Sequence, residues 1–169
     1  MIKKTYLEQN LLRSNYNKFK SIGINYTYLK YRTKWKLATR WPIYFKSPIH
    51  ADIELSSNCN MKCIMCPHGI ESSSKEFIQE IMDFDVAKKI INECAELGVS
   101  SIKFSGRGEV TMHPNIAELV KLAKSLGIVE VMINTNGLLV KDNRAESLLD
   151  AGTDLIIFSI DGSTKETYE

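Results

Sequence analysis

The sequence predicts an α/β fold built on a parallel sheet, and three observations predict it. Strand-like and helix-like patterns alternate from residue 50 onward. The last strand pattern, Leu155–Ile160 (LIIFSI), is almost continuously apolar, as in a strand covered on both faces. Unusual clusters recur directly after each strand pattern, where parallel α/β sheets build their sites.

The elements follow in order. His50–Ser56 (HADIELS) alternates apolar and polar residues, like a strand. Asp83–Leu97 places Val86, Ile90, Ile91, Cys94 and Leu97 at helical spacing, and Gly98 stops the helix. Val99–Phe104 (VSSIKF) is a second strand. Pro114 opens the next helix at a favoured first position, and Ile116, Leu119, Val120 and Leu122 form its apolar stripe. Val129–Ile133 (VEVMI) is a third strand, residues 142–151 form a third helix ending near Gly152, and Leu155–Ile160 is the fourth strand. This alternation favours right-handed crossovers and parallel pairing. The sequence stops at Glu169, a few residues into another helical pattern, which would leave the fourth strand as an apolar edge. It reads as a fragment or the product of a truncated gene.

With 169 residues the chain is long enough for one domain with a real core. Hydrophobic residues at 44% and charged residues at 25% describe a soluble globular protein. The charge is unevenly placed: residues 1–49 carry eleven Lys or Arg and one acid, whereas residues 50–169 carry eleven Lys or Arg and nineteen acids. The organisation expected from this is a basic, aromatic N-terminal extension over 1–49 and a main domain over 50–169. Leu7, Leu11 and Leu12 fit one face of a short helix, and Pro42 and Pro48 mark turning chain before the main domain. The extension is expected to dock on the acidic domain rather than on nucleic acid, since no RNA-binding motif accompanies it. No run approaches the roughly 18 apolar residues of a membrane span. Met1–Asn10 lacks the apolar segment of a secretory signal, so the expected location is cytoplasmic. Thiols stay reduced there, and clustered cysteines then suggest metal or catalysis before disulfides.

Three of the four cysteines, Cys59, Cys63 and Cys66, lie in the string CNMKCIMC just after the first strand. Thiolates are soft ligands suited to iron–sulfur clusters or zinc. A four-iron cluster normally takes four cysteines, so three would leave one metal position open, as catalytic sites do. The alternative from the residues alone is structural zinc with His68 as a fourth ligand, although zinc fingers usually use two separated pairs. A disulfide would leave one of the three cysteines over. Cys94, on the apolar face of a helix, reads as a buried inert thiol.

Cys59, Cys63 and Cys66 match the CxxxCxxC motif of the radical S-adenosylmethionine (SAM) superfamily, and Ser57–Cys63 (SNCNMKC) resembles the group whose members often carry a C-terminal SPASM domain. The resemblance covers residues 50–169. It implies a partial parallel TIM-like barrel with about four of six strand–helix units present. It also implies a 4Fe-4S cluster on the three cysteines, with the amine and carboxylate of SAM chelating the open iron. Reductive cleavage of SAM would give a 5′-deoxyadenosyl radical that takes hydrogen from a peptide or small-molecule substrate. An electron donor such as a flavodoxin or ferredoxin is implied, and no side chain of the chain is singled out as catalytic.

The same resemblance implies the cofactor contacts. Gly106, Gly108 and Glu109 (GRGE) resemble the glycine–glutamate motif that meets the methionyl amine, with Arg107 and Val110 standing where the family often has Gly and Pro. Asn136, in Thr135-Asn136-Gly137, would line the SAM pocket. Ser159 and Asp161 (SIDG) would reach the ribose. Met65 stands where an aromatic residue often packs near adenine, and His113 reads as a loop or cap residue. Read without the resemblance, GRGE is an ordinary tight turn, Asn136-Gly137 a turn signal, and Asp161 a cap for a helix near Ser163. The rival reading of the whole chain is a non-catalytic remnant or a zinc-stabilised binding module whose basic arm contacts a partner.

Overall fold

Four short runs rich in branched and aromatic side chains pair in parallel: β1 (His50–Ile53), β2 (Ser101–Phe104), β3 (Glu130–Thr135) and β4 (Leu155–Phe158). The computed structural model describes residues 26–66, 79–162 and 164–168. Strand order follows chain order, β1-β2-β3-β4. Each crossover carries a helix: α2 (Phe84–Glu96), α3 (Ile116–Ser125) and α4 (Asp142–Asp150). Register places Ile53, Phe104, Ile133 and Ile156 in one row across the sheet. The chain divides into two units, Met1–Phe45 and Lys46–Glu169, and the sheet belongs to the second.

The core lies between sheet and helices. Ile91, Ile102, Phe104, Leu119, Val120, Ile133 and Leu148 are fully buried in one apolar cluster. Truncating Phe104 to Ala would remove about 3–5 kcal/mol through lost burial and the cavity left behind. Helix α2 starts where Asp83 turns extended; its Oδ1 accepts the backbone N–H groups of Asp85 (2.9 Å) and Val86 (3.1 Å). At the N-terminal ends of β3 and β4, Lys124 Nζ donates to Asp154 Oδ2 (2.7 Å) and to the Val129 carbonyl (3.0 Å). The same Asp154 oxygen accepts the Val131 N–H (2.8 Å).

Some boundaries differ from the sequence reading, each for a local reason. β1 ends at Ile53 because the chain beyond it turns to pair with residues 80–82: Ser56 bridges Ile81 in antiparallel fashion and Met82 N–H donates to the Leu55 carbonyl. Pro114 does not open α3. It sits in a turn, and helix α3 begins two residues later at Ile116, because His113 Nδ1 accepts the Asn115 N–H and holds the chain outside the helix. β4 stops at Phe158, and its residues are half-buried or exposed rather than covered on both faces. Among the described residues β4 has a strand neighbour on one side only. Cys94 is half-buried against the core, and burial pushes its thiol pKa up.

The first unit contains helix α1 (Tyr26–Arg40). Its buried Tyr31 meets Tyr28 and Trp35 edge-on, at centroid distances of 6.0 and 6.1 Å. The helix expected around Leu7, Leu11 and Leu12 lies outside the described residues. Among the described residues no helix is long and apolar enough to cross a membrane.

His113 is buried, with its Nε2 against the Met82 carbonyl (3.0 Å) while Nδ1 accepts from Asn115 (3.2 Å). That pattern fixes the neutral Nε2–H tautomer. Burial lowers its pKa, outweighing the Met82 bond that raises it. The folded state therefore binds a proton less readily than the unfolded chain, whose histidine titrates near about 6.5. Stability is complete above that value and is lost as pH falls below it. Thermal unfolding midpoints should drop on going from about pH 7.5 to about pH 5.5, and by less in His113→Gln. Burial also lowers the pKa of His50, but that residue is common to both proteins and cancels. Equal drops in the two proteins would refute the assignment.

Candidate functional site

Glu109 follows β2 and is buried, with its carboxylate turned into the protein. Oε1 accepts from Thr111 N–H (3.0 Å), Thr111 Oγ1 (2.5 Å) and Thr135 Oγ1 (2.6 Å). Oε2 accepts from the backbone N–H of Asn136 (2.8 Å). One carboxylate thus gathers the 3-10 turn Val110–Met112 and the end of β3. The turn is further tied to α4, because Arg144 donates to the Thr111 carbonyl. On its other side the Glu109 N–H donates to the Asn58 carbonyl (2.7 Å), which lies one residue before Cys59.

Gly108 explains how that last bond forms. A Cβ at this position would come within 2.3 Å of the Ser56 carbonyl oxygen and 2.5 Å of that of Asn58. Only glycine lets the two backbones approach so closely. Gly106 likewise lies against Glu54, where a Cβ would be 2.4 Å from its Cγ. Glu54 Oε1 accepts the Arg107 N–H (2.7 Å), and its other oxygen faces the Arg107 guanidinium at 3.6 Å.

The cysteine loop leaves the sheet between these anchors. Ser57 N–H donates to the Glu80 carbonyl (2.9 Å), and Asn58 N–H donates to Ser56 Oγ (3.1 Å). Cys59, Cys63 and Cys66 are all free and half-buried, and Cys66 N–H closes a turn onto the Cys63 carbonyl (3.1 Å). Ile64 and Met65, between the second and third cysteines, are exposed at 92% and 66%. Burial pushes the Cys59 thiol pKa up against the Met61 backbone bond that lowers it; the Glu109 charge and the other two cysteines add to the rise. Metal uptake at this sulfur therefore releases a proton.

The ends of β3 and β4 complete the rim. The Asn136 side chain faces the cysteine loop: Nδ2 donates to Asn60 Oδ1 (2.7 Å) and lies 4.0 Å from Cys59 Sγ. Gly137, at φ 83°, makes the turn that follows. Ser159 is exposed; its N–H donates to the Thr135 carbonyl (2.8 Å) and its Oγ accepts from Asn134 (3.1 Å). Asp161 is exposed beyond β4. The cysteine loop, Gly106–Glu109 and Asn136 are thus brought together by direct hydrogen bonds, and Ser159 joins them through Thr135. Sequence reasoning missed Glu54, Asn60, Thr111 and the side chain of Thr135. Glu54 had a signal, an acid in a strand pattern next to a glycine motif in register; the others had none.

A parallel α/β sheet with a three-cysteine loop and a glycine–glutamate turn at its C-terminal rim defines a cofactor-binding enzyme class. The radical SAM superfamily profile matches residues 53–169, and the chain belongs to that superfamily. The GTP 3',8-cyclase of Chlorobaculum tepidum is 36% identical over 117 residues, covering 69% of this chain and 34% of that protein. The tungsten-containing aldehyde ferredoxin oxidoreductase cofactor-modifying protein of Pyrococcus furiosus is 34% identical over 112 residues, covering 64% and 30%. The crystal structure of BtrN in complex with AdoMet and 2-DOIA shares the fold, with a TM-score of 0.60 at 24% identity over 72% of this chain and 49% of that one. The chain spans about a third of the length of these curated relatives. Its four parallel strands alternating with helices are the radical SAM partial barrel. The family uses a 4Fe-4S cluster and SAM.

The donor types suit that cluster: Cys59, Cys63 and Cys66 are free thiols on one loop at the rim, and thiolates are its usual ligands. Among the described residues no group of three His, Cys, Asp or Glu side chains is already gathered to hold a metal ion. His68, the fourth ligand of the zinc reading, lies outside the described residues.

The Glu109 arrangement makes a direct prediction. Glu109→Gln turns one buried acceptor into a donor facing other donors, so unfolding free energy should fall by about 1–3 kcal/mol. Denaturant titration of the unloaded chain measures it. A stability equal to wild type would show that the carboxylate is not engaged as described.

Proposed function

We propose that this chain is the front portion of a radical SAM enzyme of the SPASM-containing group. Cys59, Cys63 and Cys66 hold the 4Fe-4S cluster. Gly106, Gly108 and Glu109, with Asn136, Ser159 and Asp161, form the SAM side of the site. The observation that carries this reading is the direct bond from Glu109 N–H to the carbonyl of Asn58, which fixes the glycine–glutamate turn against the cysteine loop. When bound at these cysteines, the cluster would supply the electron for reductive cleavage of the SAM sulfonium C–S bond, giving methionine and the 5′-deoxyadenosyl radical that would take a hydrogen atom from substrate.

The chain's own residues divide the remaining work. The Glu109 carboxylate is engaged by donors of the chain itself. Its contribution to SAM is therefore positional: it holds a turn whose backbone is left to receive the methionyl ammonium. Ser159 and Asp161, exposed at the rim after β4, offer hydroxyl and carboxylate groups suited to ribose hydroxyls. Met65, exposed between two cysteines, offers a polarisable surface to adenine.

The substrate is a peptide or small molecule, and the electron donor a carrier such as a flavodoxin or ferredoxin. The similar proteins are named for different reactions, among them a cyclisation of GTP and the modification of a cofactor of a tungsten-containing aldehyde ferredoxin oxidoreductase. We take the shared segment to supply the common radical-forming step, and chain outside it to choose the substrate. Residues 50–169 form the catalytic core in this reading, and the basic residues 1–49 form an extension to it. The expected location is the cytoplasm, where a reducing environment keeps the thiols available.

Anaerobic reconstitution with iron and sulfide should load about four irons per chain. The product should show broad visible absorption that dithionite bleaches. Replacing any one of Cys59, Cys63 or Cys66 by Ala should abolish loading, whereas Cys94→Ala should load normally. Zinc uptake without iron, or iron uptake that survives loss of Cys59, would contradict the assignment.

A further inference from the structure

We propose that Asn136 tunes the iron–sulfur cluster by supplying an N–H donor at Cys59 Sγ, its side-chain amide held in place by Asn60 and Leu138. This rests on the cluster assignment above and goes beyond the placement of Asn136 in the SAM pocket.

The orientation of the Asn136 amide is fixed by its neighbours. Its Oδ1 accepts the backbone N–H of Leu138 (3.0 Å), so Nδ2 must be the atom turned toward the cysteine loop. Of its two protons, one serves Asn60 Oδ1 at 2.7 Å. The other lies on the side of Cys59 Sγ, 4.0 Å away, a long N–H···S approach to a sulfur atom. The Asn136 backbone is held as well, since its N–H donates to Glu109 Oε2 at 2.8 Å. Glu109 N–H in turn donates to the Asn58 carbonyl. The bonds close a circuit from Asn58 through Glu109 and Asn136 back to Cys59 and Asn60. Asn136 is the one described side chain of this circuit that reaches a cysteine sulfur from another strand end.

The chemistry follows from charge. Reducing an iron–sulfur cluster adds an electron whose density spreads onto the ligating sulfurs, and a donor at one of them stabilises the reduced state more than the oxidised one. Hydrogen bonds to the sulfurs are among the factors that set cluster potentials. An N–H from Asn136 therefore raises the potential and eases the one-electron reduction on which SAM cleavage depends. An aspartate of the same shape would keep the Leu138 bond but turn an oxygen toward the sulfur, reversing the effect.

The test is a dithionite-based redox titration of the reconstituted chain, without SAM, followed by electron paramagnetic resonance. Asn136→Asp and Asn136→Ala are compared with wild type, with iron content and far-ultraviolet circular dichroism as controls. At equal iron content, both variants should have more negative midpoints, with a reduced-to-oxidised ratio about tenfold lower at a given applied potential, or about 59 mV for one electron. Should the Ala variant lose iron, the near-isosteric Asp variant carries the measurement. Midpoints equal to wild type at full iron content overturn this inference alone. Loss of the cluster from both folded variants also overturns it, because the residue then retains the cluster rather than tuning it. A wild-type chain that takes up no iron overturns the inference together with the family-based reading.

Discussion

A single buried carboxylate organises the rim of this protein. Glu109 sits where β2 leaves the sheet and draws donors from the 3-10 turn that follows and from the end of β3. Its own N–H reaches the cysteine loop that follows β1. Parallel strands end on the same side of a sheet, but nothing in strand pairing alone fixes the loops beyond them. Glu109 supplies that fixation. The cost of burying a charged group is offset because four donors face it.

The two ends of the sheet are built differently. At the N-terminal ends of β3 and β4, the side chains of Lys124 and Asp154 bond each other and tie down the Val129 carbonyl and the Val131 N–H. At the C-terminal ends, glycines bring main chains together, Glu109, Thr111 and Thr135 are buried, and Ser159 and Asp161 are exposed. Gly108 is decisive there, since any larger residue would strike the carbonyls of Ser56 and Asn58 and force the cysteine loop away from β2.

Much of this was legible in the sequence because it rests on short-range patterns. Apolar spacing, and at β4 an apolar run, placed the four strands and the three crossover helices to within a few residues, though not the 3-10 turn after β2, and the cysteine spacing with GRGE marked the rim. What was not legible depends on contacts distant in sequence. Thr111 and Thr135 are 24 residues apart, and only the fold shows both hydroxyls meeting Glu109. Asn60 and Asn136 meet across 76 residues; Asn136 stands in a turn signal, but only the fold shows that its side chain reaches Asn60. Pro114 misled because a proline-first helix is a local rule, whereas the actual start is set by His113 capturing the Asn115 N–H. The apolar run at β4 suggested burial on both faces, but burial depends on what lies beside a strand rather than on the strand itself.

The most direct test of the central claim is amide hydrogen exchange on the unloaded chain, read residue by residue. If Glu109 holds the rim together, the N–H groups of Thr111 and Asn136, which point at its carboxylate, exchange slowly although they lie outside the regular strands. They lose that protection when Glu109 is replaced by Ala. Exchange at those two amides as fast as at the exposed Ile64, or protection that survives the replacement, would show that something other than this carboxylate organises the site.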